Sequence, residues 1–235
     1  MDKPILFNAD MVRAILEGRK VQTRRIIKPQ PKTIERDPKK RVPEAFWVDN
    51  QRWIKPPYQP GDTLWVRETW QQGENEYLYL EKMLRDGVIY TDLDDDPIKW
   101  KPSIYMPREA ARLFLRVKSV PLERVKEISR EDAVAEGVIK WICEEHKSGS
   151  YLDNAMRAAA CAKPERAFAL LWDSIYAKPK PVHIRDEHGN KHIVYYESFP
   201  FDGESKTEIY KGKPHYICAN PRIWVYKFER LTAHE

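Results

Sequence analysis

Apolar and polar positions alternate along the chain in short runs, and each run predicts a short element. Met11, Val12, Ile15 and Leu16 recur at helical spacing. They predict a helix over Asp10 to Glu17, capped by Asn8 or Asp10 and ended by Gly18. A strand is expected at about Thr23–Ile27. Pro60-Gly61-Asp62 reads as a turn into a strand over Thr63 to Trp70, and Leu113, Leu115 and Val117 mark one side of a strand within Ala111 to Val120. Ser129-Arg130-Glu131-Asp132 has the form of a capping box, opening a one- to two-turn helix that Gly137 closes. Pro164 to Tyr176 is the clearest helix, with Pro in its first turn and Phe168, Leu171, Trp172 and Ile175 on one face. Arg222 to Arg230 reads as a final strand, with Ile223 and Val225 alternating against Trp224, Tyr226 and Phe228. Short strands around few helices predict an α+β chain built on a small closed or half-closed β-barrel.

Proline interrupts this pattern. The chain has 18 Pro and 9 Gly, and the prolines crowd into residues 28–60, which cannot hold a central strand or a long helix. That stretch is expected to be a long loop with one short strand pair, Phe46-Trp47-Val48 and Arg52-Trp53-Ile54, turning at Asp49-Asn50-Gln51. A second excursion at 178–215 holds an apparent hairpin, Val182–Ile184 and His192–Tyr195, turning through Glu187-His188-Gly189-Asn190.

Composition narrows the class. No stretch approaches the ~20 apolar residues of a membrane-spanning helix, so no membrane partner is expected. Met1 to Asn8 is too short and polar for the apolar part of a signal peptide, and three separated cysteines (Cys143, Cys161, Cys218) make a disulfide framework improbable; a cytoplasmic location is expected. Lys and Arg total 41 against 36 Asp and Glu, a net charge of +5. The excess is concentrated at residues 19–55, where basic side chains interleave with aromatics. Such a surface suits bases and phosphates, or is simply a solvated basic face over an aromatic core.

The densest candidate chemistry is Gly18-Arg19-Lys20-Val21-Gln22-Thr23-Arg24-Arg25. Thr23 and Arg25 share one face of the expected strand and Arg24 takes the other. A hydroxyl near an ammonium is the minimum for an activated Thr nucleophile, and also for holding one anion or for a plain polar connection. Glu68 and Trp70 are expected on one strand face with Arg67 on the other: either Trp70 stacks a base and Glu68 accepts from a cytosine-like amine, or they are a core Trp and a rim ion pair. Neither Cys143-x-x-His146 with Cys161 nor His183, His188 and His192 makes a full metal-ligand set, so neither a metal nor a cofactor is expected.

Gly18-Arg19-Lys20-x-x-Thr23-x-Arg25 after a short N-terminal helix resembles the signature of the ASCH domain, a branch of the PUA-like superfamily. Pro60 to Val66, Leu113 to Val120, Ile128 to Gly137 and Pro221 to Leu231 resemble further segments of that family in the expected order. The resemblance implies a single elaborated PUA-like (ASCH) β-barrel domain over 1–235, with short helices and long inserts at about 28–60, 71–110, 140–163 and 178–215. Trp65 to Trp70 together with Lys101 to Pro107 resembles a longer branch found mainly in phage and prophage genomes, whose members are often labelled morphogenetic proteins. Small bacterial ASCH proteins similar to this chain hydrolyse the amide of N(4)-acetylcytidine with a Lys, a Thr and a Glu, which fall here on Lys20, Thr23 and Glu136.

The resemblance therefore implies an amidohydrolase acting on an acylated cytosine nucleoside or nucleotide, without a cofactor. Lys20, Thr23 and Glu136 would be catalytic, with Arg25, Arg67, Glu68, Trp70, Trp100 and Ser103 around the substrate. Either Lys20 is the base and Glu136 relays the proton, or Glu136 is the base and Lys20 holds the oxyanion. Other ASCH proteins resemble modules that bind RNA, so a non-catalytic module for RNA or single-stranded DNA, or a phage assembly or host-interaction factor, stands beside the enzyme. The inserts are expected to wall the cleft.

Overall fold

The computed structural model describes residues 2–31, 54–74, 76–87, 99–138 and 163–231, together with the backbone of short strands at 33–35, 45–48 and 52–53. Over these residues the fold is mixed α+β, mostly sheet, with four short helices. Its centre is a curled half-barrel of six strands. β1 (Asp2–Leu6) runs parallel to β6 (Thr63–Arg67); β6 pairs antiparallel with β9 (Phe114–Ser119), and β9 with β15 (Arg222–Arg230). β10 (Leu122–Arg124) and β2 (Gln22–Ile26) both pair antiparallel with β15.

β15 organises the molecule because both of its faces are apolar, as a strand covered on two sides requires. Trp224, Tyr226 and Phe228 face the interior of the half-barrel with Ile5, Phe7, Leu64, Val66, Leu115 and Val117. Helix α1 (Ala9–Leu16) closes one end of that core with Val12 and Ile15, and Asn8 caps it by accepting the Met11 amide. Ile223 and Val225 face the other way, onto α3 (Arg130–Ala135) and α4 (Pro164–Tyr176), where Ala167, Phe168 and Trp172 bury themselves. Ser129 caps α3 at Asp132, as the capping-box pattern predicts.

Three expectations change. The strand expected over Thr63 to Trp70 breaks after Arg67. Glu68 turns inward, its amide meeting the Met106 sulfur, and Trp70 starts β7 (Trp70–Gln72), which pairs with β8 (Tyr77–Tyr79) before α2 (Leu80–Asp86). The strand in 111–120 starts only at Phe114, after a 3-10 turn at Arg108–Ala110. The 178–215 excursion holds two hairpins: β11 (Lys180–Arg185) with β12 (Lys191–Ser198), and β13 (Lys206–Tyr210) with β14 (Lys213–Ile217), joined as one four-stranded sheet. The second turns on Lys211 and Gly212, both at positive φ (51° and 72°), a turn whose twist suits a hairpin.

In the 28–60 segment, β3 (Thr33–Glu35), β4 (Ala45–Val48) and β5 (Arg52–Trp53) form a small antiparallel sheet. The side chains of Trp47 and Trp53, the turn at 49–51, the cysteines Cys143 and Cys161 and the acidic run 92–96 lie outside the described residues. No described helix is long and apolar enough to cross a membrane.

Candidate functional site

Two helix ends build the first part of the site. α1 finishes with Gly18 at φ +73°, and the amides of Arg19 and Lys20 both bond back to the Ala14 carbonyl. α3 finishes with Gly137 at φ +79°, a conformation that glycine adopts without strain. The two ends pack so closely that a Cβ on Gly137 would lie 2.9 Å from the Ala14 Cβ and 3.2 Å from the Lys20 Cβ. The close approach makes Lys20 and Glu136 bridge partners and lets the Val21 amide donate to the Ala135 carbonyl.

Lys20 and Glu136, 116 positions apart, are thereby joined. Lys20 Nζ donates to Glu136 Oε2 at 2.8 Å and to the Glu136 carbonyl at 3.1 Å, with the two side chains only 1% and 5% exposed. The other carboxylate oxygen accepts from Arg24 Nη1 at 3.0 Å. Arg24 also reaches Asp132 at 2.8 Å and Glu123 at 3.0 Å, and its guanidinium lies over Phe168. Burial lowers the Lys20 pKa from its ordinary value; Glu136 opposes the shift, and Arg25 and Arg24 add to it.

Thr23 lies on the opposite face of β2, toward the half-barrel interior. It is buried, and its register partner across the sheet is Tyr226. Among the described residues no hydrogen bond joins its hydroxyl to Lys20 or Glu136. The expected Lys–Glu pair is therefore in contact, whereas Thr23 stands apart from it in hydrogen bonding. Arg25, two residues on from Thr23 and on its face, lies over the Phe7 ring at 5.5 Å; Lys20 Nζ lies over the same ring at 5.8 Å.

Arg25 leads into the second part of the site, a cleft of about 570 Å³. Its apolar wall comes from Ile5, Ile27, Trp224 and Tyr226. The returning end of the 28–60 insert forms the facing wall through Ile54, Lys55, Pro57 and Tyr58. Tyr58 is anchored by its hydroxyl, which donates to the Pro4 carbonyl at 2.7 Å, and by an edge contact with Tyr226 at 5.0 Å. Arg25, Lys28, Lys55 and Arg67 supply four cations to the lining; among the described residues no carboxylate lines it, and Lys28 is paired with Glu197 outside it. Arg67 is braced over Trp65 at 4.6 Å and donates to the Ile104 carbonyl at 3.2 Å.

The other expected substrate residues lie elsewhere. Glu68 is 1% exposed and held by Arg112 through two bonds, at 2.9 and 2.8 Å. Arg112 also binds Glu81, a carboxylate with no exposure. Burial raises the Glu68 pKa against the pull of Arg112. Trp70 is buried against Met106 and Ala110, under Lys101. This is the core Trp and ion pair that the sequence pattern also allowed, with the ion pair buried rather than at a rim. Trp100 is half-buried and outside the cleft lining; Ser103 begins the short 3-10 turn whose Ile104 carbonyl receives Arg67.

Tyr58, Lys28 and Lys55 belong to the insert expected to wall the cleft, whereas sequence reasoning missed Tyr226 as a cleft residue and Arg24 as the second partner of Glu136. The alternation of β15 carries the signal for Tyr226, but an inward strand tyrosine reads first as core. No protein-family model, curated protein or solved structure matches the chain.

Proposed function

We propose that the protein is an amidohydrolase that removes an acyl group from the exocyclic amine of a modified cytosine nucleoside or nucleotide. The observation that carries the reading is the buried Lys20–Glu136 pair at 2.8 Å, placed beside a strand whose other face runs from Thr23 to a nucleotide-sized cleft at Arg25. Lys20, with its pKa lowered by burial, takes the Thr23 proton; Thr23 Oγ attacks the acyl carbon; the C–N bond breaks. The amine leaves with a proton passed through Glu136, and water then cleaves the Thr23 ester to release the carboxylic acid. Catalytic hydrogen bonds commonly tighten only when substrate is in place, so the absence of a Thr23–Lys20 bond does not remove the route.

A second reading is favoured by a specific observation. Neither Lys20, Thr23 nor Glu136 lines the cleft, and both Glu136 oxygens already have cationic partners. In that reading the cleft binds a base without chemistry and the charged pair is scaffold. One experiment separates the two. The protein is incubated with N(4)-acetylcytidine, its 5′-monophosphate and an acetylated oligonucleotide, and the released base is detected by mass. Release that Thr23→Ala abolishes while binding persists supports the hydrolase. Binding without release from any of the three overturns it in favour of the binding module, and undiminished release by Thr23→Ala overturns the covalent route.

A further inference from the structure

The two arginines of the cleft are held differently from the arginines of the two charged networks outside it. Arg24 and Arg112 are each paired with two or more carboxylates. Arg25 and Arg67 have no carboxylate partner among the described residues; their bonds go to the Leu6 and Ile104 carbonyls. A guanidinium satisfied only by a carbonyl keeps further N–H groups and its full charge for an incoming anion. Lys55 also lines the cleft, Lys28 is paired with Glu197, and among the described residues no acid lies in the lining, so the cleft keeps an excess of positive charge centred on Arg25 and Arg67.

A second observation, independent of charge, lies on the same wall. Tyr226 is 1% exposed, lines the cleft, and its hydroxyl has no hydrogen-bond partner among the described residues, with the Tyr58 backbone as a polar influence on it. Buried hydroxyls are almost always satisfied, so one left open on a ligand-sized cleft marks a place for a ligand atom. Burial pushes its pKa up, so the group stays a phenol and is able to donate. The apolar part of the same wall, Trp224 with Ile27, faces Tyr58 and suits a flat ring.

We propose that this cleft recognises a phosphorylated nucleoside, with Arg25 and Arg67 holding the phosphate and the Tyr226 hydroxyl donating to a carbonyl or ring nitrogen of the base. This deepens the hydrolase reading by naming the substrate class of its cleft and rests on that reading for the base, but its test is one of binding alone. The shared chemistry, a base with a phosphate attached, comes either as a free nucleotide or as part of a strand.

The experiment is calorimetric titration of the protein with cytidine, CMP, a short oligocytidylate and inorganic phosphate. CMP is expected to bind at least ten-fold more tightly than cytidine, since a charge-assisted phosphate contact exceeds a neutral hydrogen bond. Arg25→Gln/Arg67→Gln removes that difference. Tyr226→Phe weakens CMP by about five- to ten-fold, the usual loss for one hydrogen bond to a buried group, and leaves inorganic phosphate unchanged. Because the hydroxyl has no partner, Tyr226→Phe retains its fold, and an unaltered urea midpoint checks this. Equal affinity for cytidine and CMP, an unchanged CMP affinity in Tyr226→Phe, or no binding of any ligand overturns the proposal. A strand binding more tightly than CMP assigns the phosphate to a polymer, and the reverse to a free nucleotide; both keep the shared chemistry. CMP binding without acyl hydrolysis retires the hydrolase alone, and hydrolysis with no preference for the phosphate retires this proposal alone.

Discussion

Glu136→Gln is expected to strand a buried charge. Glu136 accepts from Lys20 through one oxygen and from Arg24 through the other, and the three side chains are 5%, 1% and 0% exposed. A glutamine keeps the shape, but whichever way its amide turns, one cation faces an N–H group. Arg24 retains Asp132 and Glu123; Lys20 retains only the residue 136 carbonyl. Removing one partner of a buried pair costs about 3–5 kcal/mol. In a chain of this size that lowers Tm by roughly 6–20 °C. Urea unfolding at pH 7 measures the loss directly, and Glu136→Gln/Lys20→Met should recover most of it, because a methionine over Phe7 needs no counter-charge.

The loss should also depend on pH with a definite sign. The folded Lys20 pKa lies below its ordinary value, so between the folded and unfolded values the unfolded chain binds more protons and stability rises with pH. Glu136 opposes that shift. Without Glu136 the folded value falls further, the rise begins at lower pH, and the deficit against the wild type narrows on going from pH 7 to pH 9.5. A loss under about 1 kcal/mol at pH 7, the size expected of an exposed pair, would refute the assignment of Lys20 as a desolvated charge. An equal deficit at both pH values would refute it too.

Two further perturbations test the neighbouring architecture. Gly137→Ala places a methyl 2.9 Å from the Ala14 Cβ at φ +79°, and is expected to cost about 1–3 kcal/mol in urea unfolding while separating the two helix ends; an unchanged midpoint would contradict that close approach. Arg112→Met removes the cation between Glu68 and Glu81, leaving Glu68 without its partner while Glu81 keeps Arg85 at 3.5 Å and Arg13 at 3.9 Å, and should cost about 3–5 kcal/mol at pH 7. Burial already holds the Glu68 pKa up and Arg112 pulls it down, so losing Arg112 raises it further; the cost should shrink as pH falls through that value, and a cost that grew toward pH 5 would count against the pair.

The half-barrel and its helices were largely legible because their signals are local. Pro164 and the Phe168/Trp172 spacing delimit α4, and alternating apolar positions delimit β15. β13 was missed because four of its five residues are exposed, so no buried face imprints an alternation. The break after Arg67 was missed because Glu68 and Trp70 continue the period of two; only the distant Met106 and Arg112 explain why the chain turns there. The site divides the same way. Lys20 and Thr23 stand out as a hydroxyl near an ammonium, but Glu136 was drawn from a family resemblance, and what joins it to Lys20 is two left-handed glycines whose packing no local pattern encodes. The cleft was legible only as an insert leaving near Arg25; that its far end returns at Ile54 to Tyr58 depends on Tyr58 finding Pro4 and Tyr226.

Arg24 and Arg25 show where sequence reading reaches its physical limit. They are adjacent, chemically identical, and inside the same basic motif. Strand alternation says that they face opposite ways but not which way each faces. The register decides: Val225 opposes Arg24 and Trp224 opposes Arg25. Arg24 thereby turns to β10 and α3, where three carboxylates wait, and becomes part of a closed network. Arg25 turns to the half-barrel interior, where it meets Phe7, a backbone carbonyl and an open cleft. A slip of one residue would exchange the two roles, turning Arg25 to the carboxylates and Arg24 to the cleft. The apolar demands of β15, whose two faces belong to different cores, forbid that slip. The core packing of one strand therefore determines which arginine is scaffold and which is free to hold a ligand.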